Sequence, residues 1–316
     1  MTDYYVAWWN VENLFDTSTS PARPDWLQRK LRSELRGWTE QILRRKISQL
    51  STVIQSMNGG VGPDLLGVCE VENQSVLERL RDSLAPLGRN YGIAHHDNSD
   101  QRGIDVAFIY DADLLTWEAQ FDYVVLKRAA TRDLFQVNFR TNHGRLLMAI
   151  GNHWPSRSGG ELESEPYRIL AAETLSYWLS RIQDIHGRNA NVIVMGDLND
   201  EPNDRSVTDY ALSTMARGKV TRARNPRLYN LMWPLLGQRD ASYYYSSAPI
   251  MLDQFLASRG LARTTGDLRV LDDQVEILRF PGGARTPTRF GRPSGGLNRD
   301  GFSDHFPIAV TLRERD

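Results

Sequence analysis

The stretch VIVMGDLND, residues 192–200, runs from apolar residues through a glycine into two acids and an amide. Three further stretches share this form and end in amide, carboxylate or imidazole side chains: YYVAWWNVEN (4–13), DLLGVCEVEN (64–73) and LLMAIGNHW (146–154). Apolar runs of this kind predict buried strands. One such ending is ordinary, because loops often begin with Asp or Asn. Four in one chain predict a shared site that the strands hold rigidly at their ends.

Strands and helices alternate irregularly along the chain. Helical periodicity with Thr39 as N-cap predicts a helix that ends near residue 57, before Gly59 and Gly60. Further helices are predicted at 75–85, from Pro166 to about 185, and after Pro202. Strands are predicted at 4–9, 64–69, 91–95, 104–110, 134–140, 145–152, 191–195, 252–257 and 306–312. This mixed order favours an α+β fold or a two-sheet sandwich with outer helices, with residues 1–316 as a single domain.

The composition is that of an ordinary globular protein, with 41% hydrophobic and 24% charged residues. No apolar run approaches the roughly 20 residues that a membrane helix needs, so no membrane partner is expected. The single cysteine, Cys69, excludes an internal disulfide and predicts a reducing, cytoplasmic location. We expect a monomer by default.

Charge is unevenly distributed although the net charge is only −1. Residues 210–299 hold 14 Lys and Arg against 6 Asp and Glu, a balance of +8, so the remaining residues carry −9. No acid interrupts the basic residues of 210–239 or those of the loop 279–299. An acidic centre beside a basic flank suits a bound cation and a polyanionic substrate. An uneven solvated surface is the simpler alternative.

Carboxylates and amides at the strand ends are hard oxygen ligands, which suit Mg²⁺, Mn²⁺ or Ca²⁺ rather than zinc. Glu70 is the first candidate ligand, because it is the one carboxylate in an otherwise apolar run; Asp304 and Asp197 come next. The motif GFSDHFPIAV places Asp304 beside His305, and Asp253 begins another predicted strand. A carboxylate that contacts an imidazole fixes its tautomer and raises its basicity.

Together these stretches resemble the endonuclease/exonuclease/phosphatase superfamily of metal-dependent phosphoesterases. The resemblance rests on WNVENLF, VCEVEN, RGIDVAFIY, GNHWPSR, GDLNDEP, LDQFL and SDHFP, which stand in family order from Asn10 to Pro307. It implies a four-layer α/β/β/α sandwich whose two central, mostly antiparallel sheets carry outer helices. The active site would lie at one end of this sandwich.

The resemblance implies a site that holds Mg²⁺ or Mn²⁺, with Glu70 as the principal ligand. Asn10, Glu12 and Asp304 would lie close to the metal and its waters. Water would attack phosphorus in line, while the metal and an imidazolium stabilise the developing charge.

The same resemblance implies roles for the other residues of the site. Asp197 and Asn199 would align water and phosphate, and His153 and His305 would contact phosphate oxygens or move protons. Asp253 would support His305. Two questions stay open: whether Asp197 or a His–Asp pair is the general base, and whether Asp97 or Asp105 pairs with His153. Four residues are expected to contact the substrate: Asn152, Arg157, Arg289 and Arg292.

Three functions compete. The basic flank favours a nuclease that hydrolyses DNA or RNA, with DNA favoured. The same site could serve a phosphatase or phosphodiesterase that acts on a small or lipid ester, such as an inositol phosphate or a sphingomyelin-like lipid. A catalytically silent binding protein is disfavoured, because the ligand and histidine set is intact.

Overall fold

Two large mixed sheets form the centre of the protein in the computed structural model, which describes residues 1–98, 100–126, 131–238 and 240–315. One sheet has six strands, β1 (Thr2–Leu14), β2 (Leu65–Val71), β3 (Tyr91–His95), β4 (Asp105–Asp111), β14 (Leu268–Ile277) and β15 (Ile308–Glu314). Its strand order is β14-β15-β1-β2-β4-β3. The first and last strands of the chain, β1 and β15, therefore pair directly.

The second sheet has seven strands in the order β5-β6-β7-β8-β13-β10-β9. They are β5 (Leu115–Tyr123), β6 (Leu134–Thr141), β7 (Leu146–His153), β8 (Val192–Asp197), β9 (Ser213–Thr214), β10 (Leu228–Asn230) and β13 (Asp253–Ala257). A separate hairpin consists of β11 (Tyr243–Tyr245) and β12 (Ala248–Ile250). Most pairings in both sheets are antiparallel, but β1 pairs with β2, β7 with β8 and β9 with β10 in parallel.

Four helices cover the outer faces of the sheets: α1 (Asp25–Leu31), α2 (Glu40–Gly60), α3 (Gln74–Asp82) and α4 (Glu161–His186). Two short helices, α5 (Arg217–Arg222) and α6 (Arg259–Ala262), instead contribute to the apolar core between the sheets. Single helical turns lie at Ala85–Leu87, Arg157–Gly159, Ser206–Tyr210 and Trp233–Leu235. No helix of the described segments is long and apolar enough to cross a membrane.

Three apolar layers separate four layers of secondary structure. One layer lies between α2, α3 and the six-stranded sheet, the second lies between the sheets, and the third lies between the seven-stranded sheet and α4. Burial of these faces from water is the main stabilising contribution. The predicted α/β/β/α sandwich is confirmed.

Of the two longest helices, α2 follows its sequence signals and α4 does not, and the short helices α1, α5 and α6 were absent from the prediction. Thr39 caps α2 through a hydrogen bond from the Ile42 backbone amide, and the helical backbone stops at Met57, as predicted. The prediction for α4 was wrong at its start, because the helix begins at Glu161 and Pro166 lies inside it. Acidic Glu161 and Glu163 in the first turn complement the positive end of the helix dipole. These two residues favour a helix start at Glu161, although Pro166 lacks the N–H group that would donate one of the following helical hydrogen bonds.

Two long strands were absent from the prediction, and both lie at sheet edges. β5 exposes Thr116, Trp117 and Glu118, and much of β14 is only partly buried. Edge strands with polar or exposed side chains lack the apolar runs by which buried strands are recognised.

Candidate active site

The polar strand ends meet at one end of the sandwich. In the seven-stranded sheet, His153 lies opposite Asp197, which in turn lies opposite Asp253. In the six-stranded sheet, Asn10 pairs with Cys69, so Glu70 follows at the same edge. The Asn10 side-chain nitrogen donates to Asp197 Oδ2 at 3.1 Å and joins the two sheets.

Several of these strand ends adopt a left-handed backbone conformation. The φ angle is 53° at Glu12, 65° at Glu70 and 51° at Asn199. Pairing also shifts between Asn10 and Leu14 in β1 and at Glu70 in β2. Left-handed conformations are uncommon for residues with a side chain, and bulges redirect side chains. The strands thus lose regular pairing where their polar side chains turn toward the site.

A cleft of about 590 Å³ opens above these strand ends. This volume exceeds what a phosphate group alone needs and falls in the range of small-molecule sites. Eight residues expected to bind or act on the substrate line it, namely Asn10, Glu70, His153, Arg157, Asp197, Asn199, Asp304 and His305.

His305 and Asp253 form a buried pair at the floor of the cleft. His305 Nδ1 lies 2.7 Å from Asp253 Oδ2, and the Trp8 indole donates to the other oxygen of Asp253 at 3.0 Å. The Trp9 indole donates to the His305 carbonyl. Burial lowers the pKa of His305, but the Asp253 and Asp197 carboxylates outweigh it and raise the pKa to about 10. His305 is therefore an imidazolium at neutral pH.

His153 has the opposite electrostatic environment. Its Nε2 lies 3.7 Å from Glu70 Oε1 and 3.8 Å from Asp197 Oδ2. Burial and the cations Arg132 and Arg102 hold the pKa of His153 well below its usual value. The site therefore pairs one charged imidazole with one neutral imidazole, which is a common arrangement for acid–base chemistry.

Asp197 joins the two histidines to the strand ends. Its Oδ1 accepts from the Asn199 backbone amide at 3.0 Å, and the Asn199 side chain donates to the Trp154 carbonyl. Burial raises the pKa of Asp197 to about 6, and the nearby His305 acts against that rise. A carboxylate with a pKa this close to neutrality is suited to accept a proton.

Neither predicted carboxylate pairs with His153, so that expectation was wrong. Asp105 Oδ2 instead lies 3.0 Å from His95 Nε2, and the largely exposed Asp97 lies 3.8 Å from the same atom. His153 Nδ1 is buried without a hydrogen-bond partner among the described residues. His95, Asp97 and Asp105 bring their ligand atoms within 4.8 Å of one another, which is a possible cation site outside the cleft lining.

The donor set at Glu70 fits a hard divalent cation. Glu70 Oε2 accepts from the Asn13 backbone amide at 2.9 Å, whereas Oε1 makes only contacts of 3.7 Å with Arg102 and His153. Burial raises the pKa of nearby Asp304 to about 6. Carboxylate oxygens are preferred ligands of Mg²⁺ and Mn²⁺, and the contacts of Glu70 Oε1 are too long to be hydrogen bonds.

Glu12 does not lie where a metal ligand was expected. Its oxygens accept from Arg289 Nε at 2.8 Å and from the Phe290 backbone amide at 2.9 Å. The fully buried Lys46 ammonium lies 3.9 Å from Glu12 and donates to the Phe302 carbonyl at 2.7 Å. Burial lowers the pKa of Lys46 to about 8. Glu12 thus anchors the loop before Asp304.

The structure places two of the predicted substrate contacts outside the cleft lining. Asn152 is fully buried, and its side chain accepts from the Trp154 indole at 3.0 Å, so it supports the strand end from behind. Arg292 pairs with Glu34 at 2.8 Å and lines a smaller pocket outside the cleft. Sequence position alone could not separate these residues from cleft residues.

The remaining two arginines lie near the site, but carboxylates match their charge. Arg157 lines the cleft, and its guanidinium contacts Asp200 at 3.0 Å, Asp204 at 2.5 Å and Glu161 at 3.2 Å. Arg289 donates to Glu12 and lies 3.6 Å from Asp304.

The basic flank is also partly neutralised. Arg217 pairs with Asp272 at 2.9 Å, and Arg279 pairs with Asp240. Arg239, which belongs to the basic segment 210–239, lies outside the described residues. The charge surplus of the sequence therefore overstates the free positive charge of this flank.

Several cleft residues were not assigned to the site from the sequence. Arg102 lies on a loop whose motif, RGID, drew attention only to its aspartate. Tyr243, Tyr245, Ile250 and Leu252 line an apolar and aromatic part of the cleft. Tyr243 also packs against the His305 ring, with 4.8 Å between centroids. The run of three tyrosines was the available signal, but it is equally typical of core and edge strands.

The ordered motifs and this geometry agree with a comparison against protein families. A model of the endonuclease/exonuclease/phosphatase family matches residues 5–314. The chain belongs to this family. Its members are phosphoric ester hydrolases that generally depend on divalent metal ions. No curated protein matches the sequence.

Solved structures of this family share the fold at low identity. A family member from Bacteroides thetaiotaomicron is 14% identical over 98% of both chains, with a TM-score of 0.61. A mannosyl-6-phosphatase from the same species is 14% identical over 98% of this chain and 99% of its own, with a TM-score of 0.57. ANGEL2, a 2′,3′-cyclic phosphatase, is 12% identical over 98% and 95%, with a TM-score of 0.60.

Proposed function

We propose that this family member is a divalent-metal-dependent phosphodiesterase that hydrolyses nucleic acid, with DNA favoured over RNA. The observation that carries the proposal is the cleft of about 590 Å³ that Glu70, Asp197 and His305 line together, with Asp253 buried behind His305. A cytoplasmic location accompanies the proposal, because a chain with one cysteine has no internal disulfide, which fits a reducing compartment.

Glu70, with Asn10 and Asp304, would hold Mg²⁺ or Mn²⁺. The bound ion would stabilise negative charge on the phosphate. Glu12 is left out of this ligand set, because Arg289, Phe290 and Lys46 occupy its carboxylate.

The protein groups divide the remaining chemistry. Asp197 accepts a proton from the attacking water, because its raised pKa brings it close to neutrality. His305, held as imidazolium by Asp253, stabilises charge on the phosphate oxygens. His153 remains neutral and offers a hydrogen bond to the same group. Asn199 is fixed by the Trp154 carbonyl beside the reacting group.

The aromatic lining of the cleft supports a nucleic-acid substrate. Tyr243 and Ile250 are cross-strand partners, and Tyr245 lies two residues from Tyr243 on the same face of the β11–β12 hairpin. Tyr245 is 67% exposed. Exposed aromatic faces beside a phosphate site can stack nucleic-acid bases.

The alternative is a phosphatase or phosphodiesterase that acts on a small or lipid phosphate ester, including an inositol phosphate or a sphingomyelin-like lipid. The ion pairs of Arg217, Arg279, Arg289 and Arg292 favour it, because they leave fewer free cations for a polyanion. The fold is also shared with a mannosyl-6-phosphatase.

A cleavage panel tests these alternatives. Plasmid, linear duplex, single-stranded DNA, RNA and a sugar phosphate are incubated with the protein in Mg²⁺, Mn²⁺ or EDTA. Glu70→Ala and His305→Ala are run beside Glu118→Ala, which changes a carboxylate paired with Arg140 outside the cleft. We expect metal-dependent cutting of DNA that only the first two variants lose. Phosphate release from the sugar ester with every polynucleotide intact would reject the nuclease.

A further inference from the structure

Arg102 lines the catalytic cleft beside the groups that would contact a phosphate. Its Nη1 lies 3.7 Å from Glu70 Oε1, the same oxygen that lies 3.7 Å from His153 Nε2. Its Nη2 donates to the Asn13 side chain at 2.8 Å. The side chain is 41% exposed. An arginine has five N–H donors, and one hydrogen bond of the Arg102 guanidinium to the described residues is seen, the bond to Asn13.

The other arginine of the cleft lining is in a different situation. Arg157 contacts three carboxylates and donates through Nε to the Asn199 carbonyl at 2.7 Å. These contacts occupy the Arg157 guanidinium and hold the loop after β8 in place. Among the described residues that line the cleft, Arg102 is therefore the cation with the most unused hydrogen-bonding capacity.

The loop that carries Arg102 is held in place by its own short-range contacts. The Arg102 backbone amide donates to Asp100 at 2.9 Å, and the Asp100 amide donates to Asn98 at 2.7 Å. The Asn98 amide donates in turn to Asp105 at 3.1 Å, whose other oxygen lies 3.0 Å from His95. A guanidinium on a fixed loop loses less freedom when it binds a ligand.

We propose that Arg102 binds the phosphate oxygens of the substrate on the side of the cleft formed by Glu70 and His153. A planar guanidinium matches two oxygens of a phosphate group. This assignment deepens the proposed phosphodiesterase function, on which it rests.

Binding of thymidine 5′-phosphate in the presence of Mg²⁺, measured by titration calorimetry, tests the assignment without turnover. We expect Arg102→Met to weaken binding roughly 10- to 100-fold, the range for hydrogen bonds to charged groups. Arg102→Lys should restore part of the affinity, because it keeps the charge but not the fork. Lys30→Met is the matched control: Lys30 contacts Gln101 on the outer side of the same loop, and its loss should change nothing.

A separate Mg²⁺ titration distinguishes phosphate binding from damage to the metal site. Arg102→Met should bind Mg²⁺ at least as tightly as the wild type, because a cation near Glu70 has been removed. A melting temperature close to that of the wild type would show that the variant is folded. Equal affinity of Arg102→Met and the wild type for thymidine 5′-phosphate would overturn the assignment. A parallel loss of Mg²⁺ binding, or a wild type that does not bind the nucleotide, would also overturn it.

The two proposals can fail independently. If the wild type cleaves no polynucleotide but the nucleotide affinities follow the expected order, the nuclease proposal fails and the Arg102 assignment stands. If the wild type cleaves DNA but Arg102→Met binds the nucleotide as tightly as the wild type, the Arg102 assignment fails and the nuclease proposal stands.

Discussion

Asp253→Asn should remove about half of the stabilisation that the folded protein gains from a charged His305. The pKa of His305 rises from 6.5 to about 10 in the folded state. That difference corresponds to roughly 4 to 5 kcal/mol of preferential stabilisation of the imidazolium. Asp197, whose carboxylate lies 3.9 Å from His305, supplies part of it. We therefore expect a loss of about 2 to 3 kcal/mol at neutral pH in the variant.

The sign of the pH dependence follows from the direction of the shift. Because the folded state holds the proton more tightly, the stabilisation is complete below about pH 6.5 and disappears as the pH rises through about 10. The difference in free energy of unfolding between wild type and Asp253→Asn should therefore shrink as the pH increases. Lys46, whose pKa is lowered to about 8, titrates in both proteins and cancels in this difference.

Urea unfolding in EDTA, from about pH 6.5 to about pH 9.5, measures this difference across the relevant window. Asp300→Asn is the control, because Asp300 pairs with Arg45 at an exposed position. Its difference from the wild type should be small and independent of pH. A difference between wild type and Asp253→Asn that stays constant or grows toward high pH would refute the assignment of the charge to His305.

Three further changes probe other parts of the structure. Glu70→Gln should weaken Mg²⁺ binding in calorimetry by at least about a hundredfold, since even outer-shell partners contribute 10- to 100-fold; wild-type affinity would exclude Glu70 as ligand. Lys46→Met should lower the free energy of unfolding by about 3 kcal/mol, whereas Arg45→Ala on the exposed side should change it by less than about 0.5 kcal/mol. Gly67→Ala should lower the free energy of unfolding in urea by about 1 to 3 kcal/mol, because a new Cβ would meet Trp8 at 2.6 Å; a neutral result would show that the Trp8 ring can shift to make room.

The sequence was informative where local patterns determine structure. Apolar runs that end in Asn10, Glu70, His153 and Asp197 predicted buried strands, and these strands do carry their polar ends to one cleft. Burial and strand alternation are properties of short segments, which explains this success. The family resemblance added the prediction of a four-layer sandwich and the order of its layers.

The failures concern contacts that depend on loop conformation. Asp105 was one of two candidate partners of His153. In the structure it contacts His95 and the Asn98 backbone amide instead. Glu12 has the residue type of a metal ligand, yet its carboxylate binds the loop at Arg289. Such pairings are set by distant segments that meet only in the folded chain.

The reading of the whole chain as one domain stays a prediction, and so do the roles of the individual site residues. Trp8 illustrates why. Its ring packs in the core between the sheets, and its indole also donates a hydrogen bond to Asp253. A side chain can therefore serve the core and orient a site residue at once.

We propose that the strand ends around Glu70 form a divalent-metal hydrolytic centre. Anomalous diffraction from crystals soaked in Mn²⁺ would locate the ion without reference to activity. We expect a peak within bonding distance of the Glu70 carboxylate, on the side of Asn10 and Asp304. A peak confined to His95, Asp97 and Asp105, or no peak in the cleft, would contradict it.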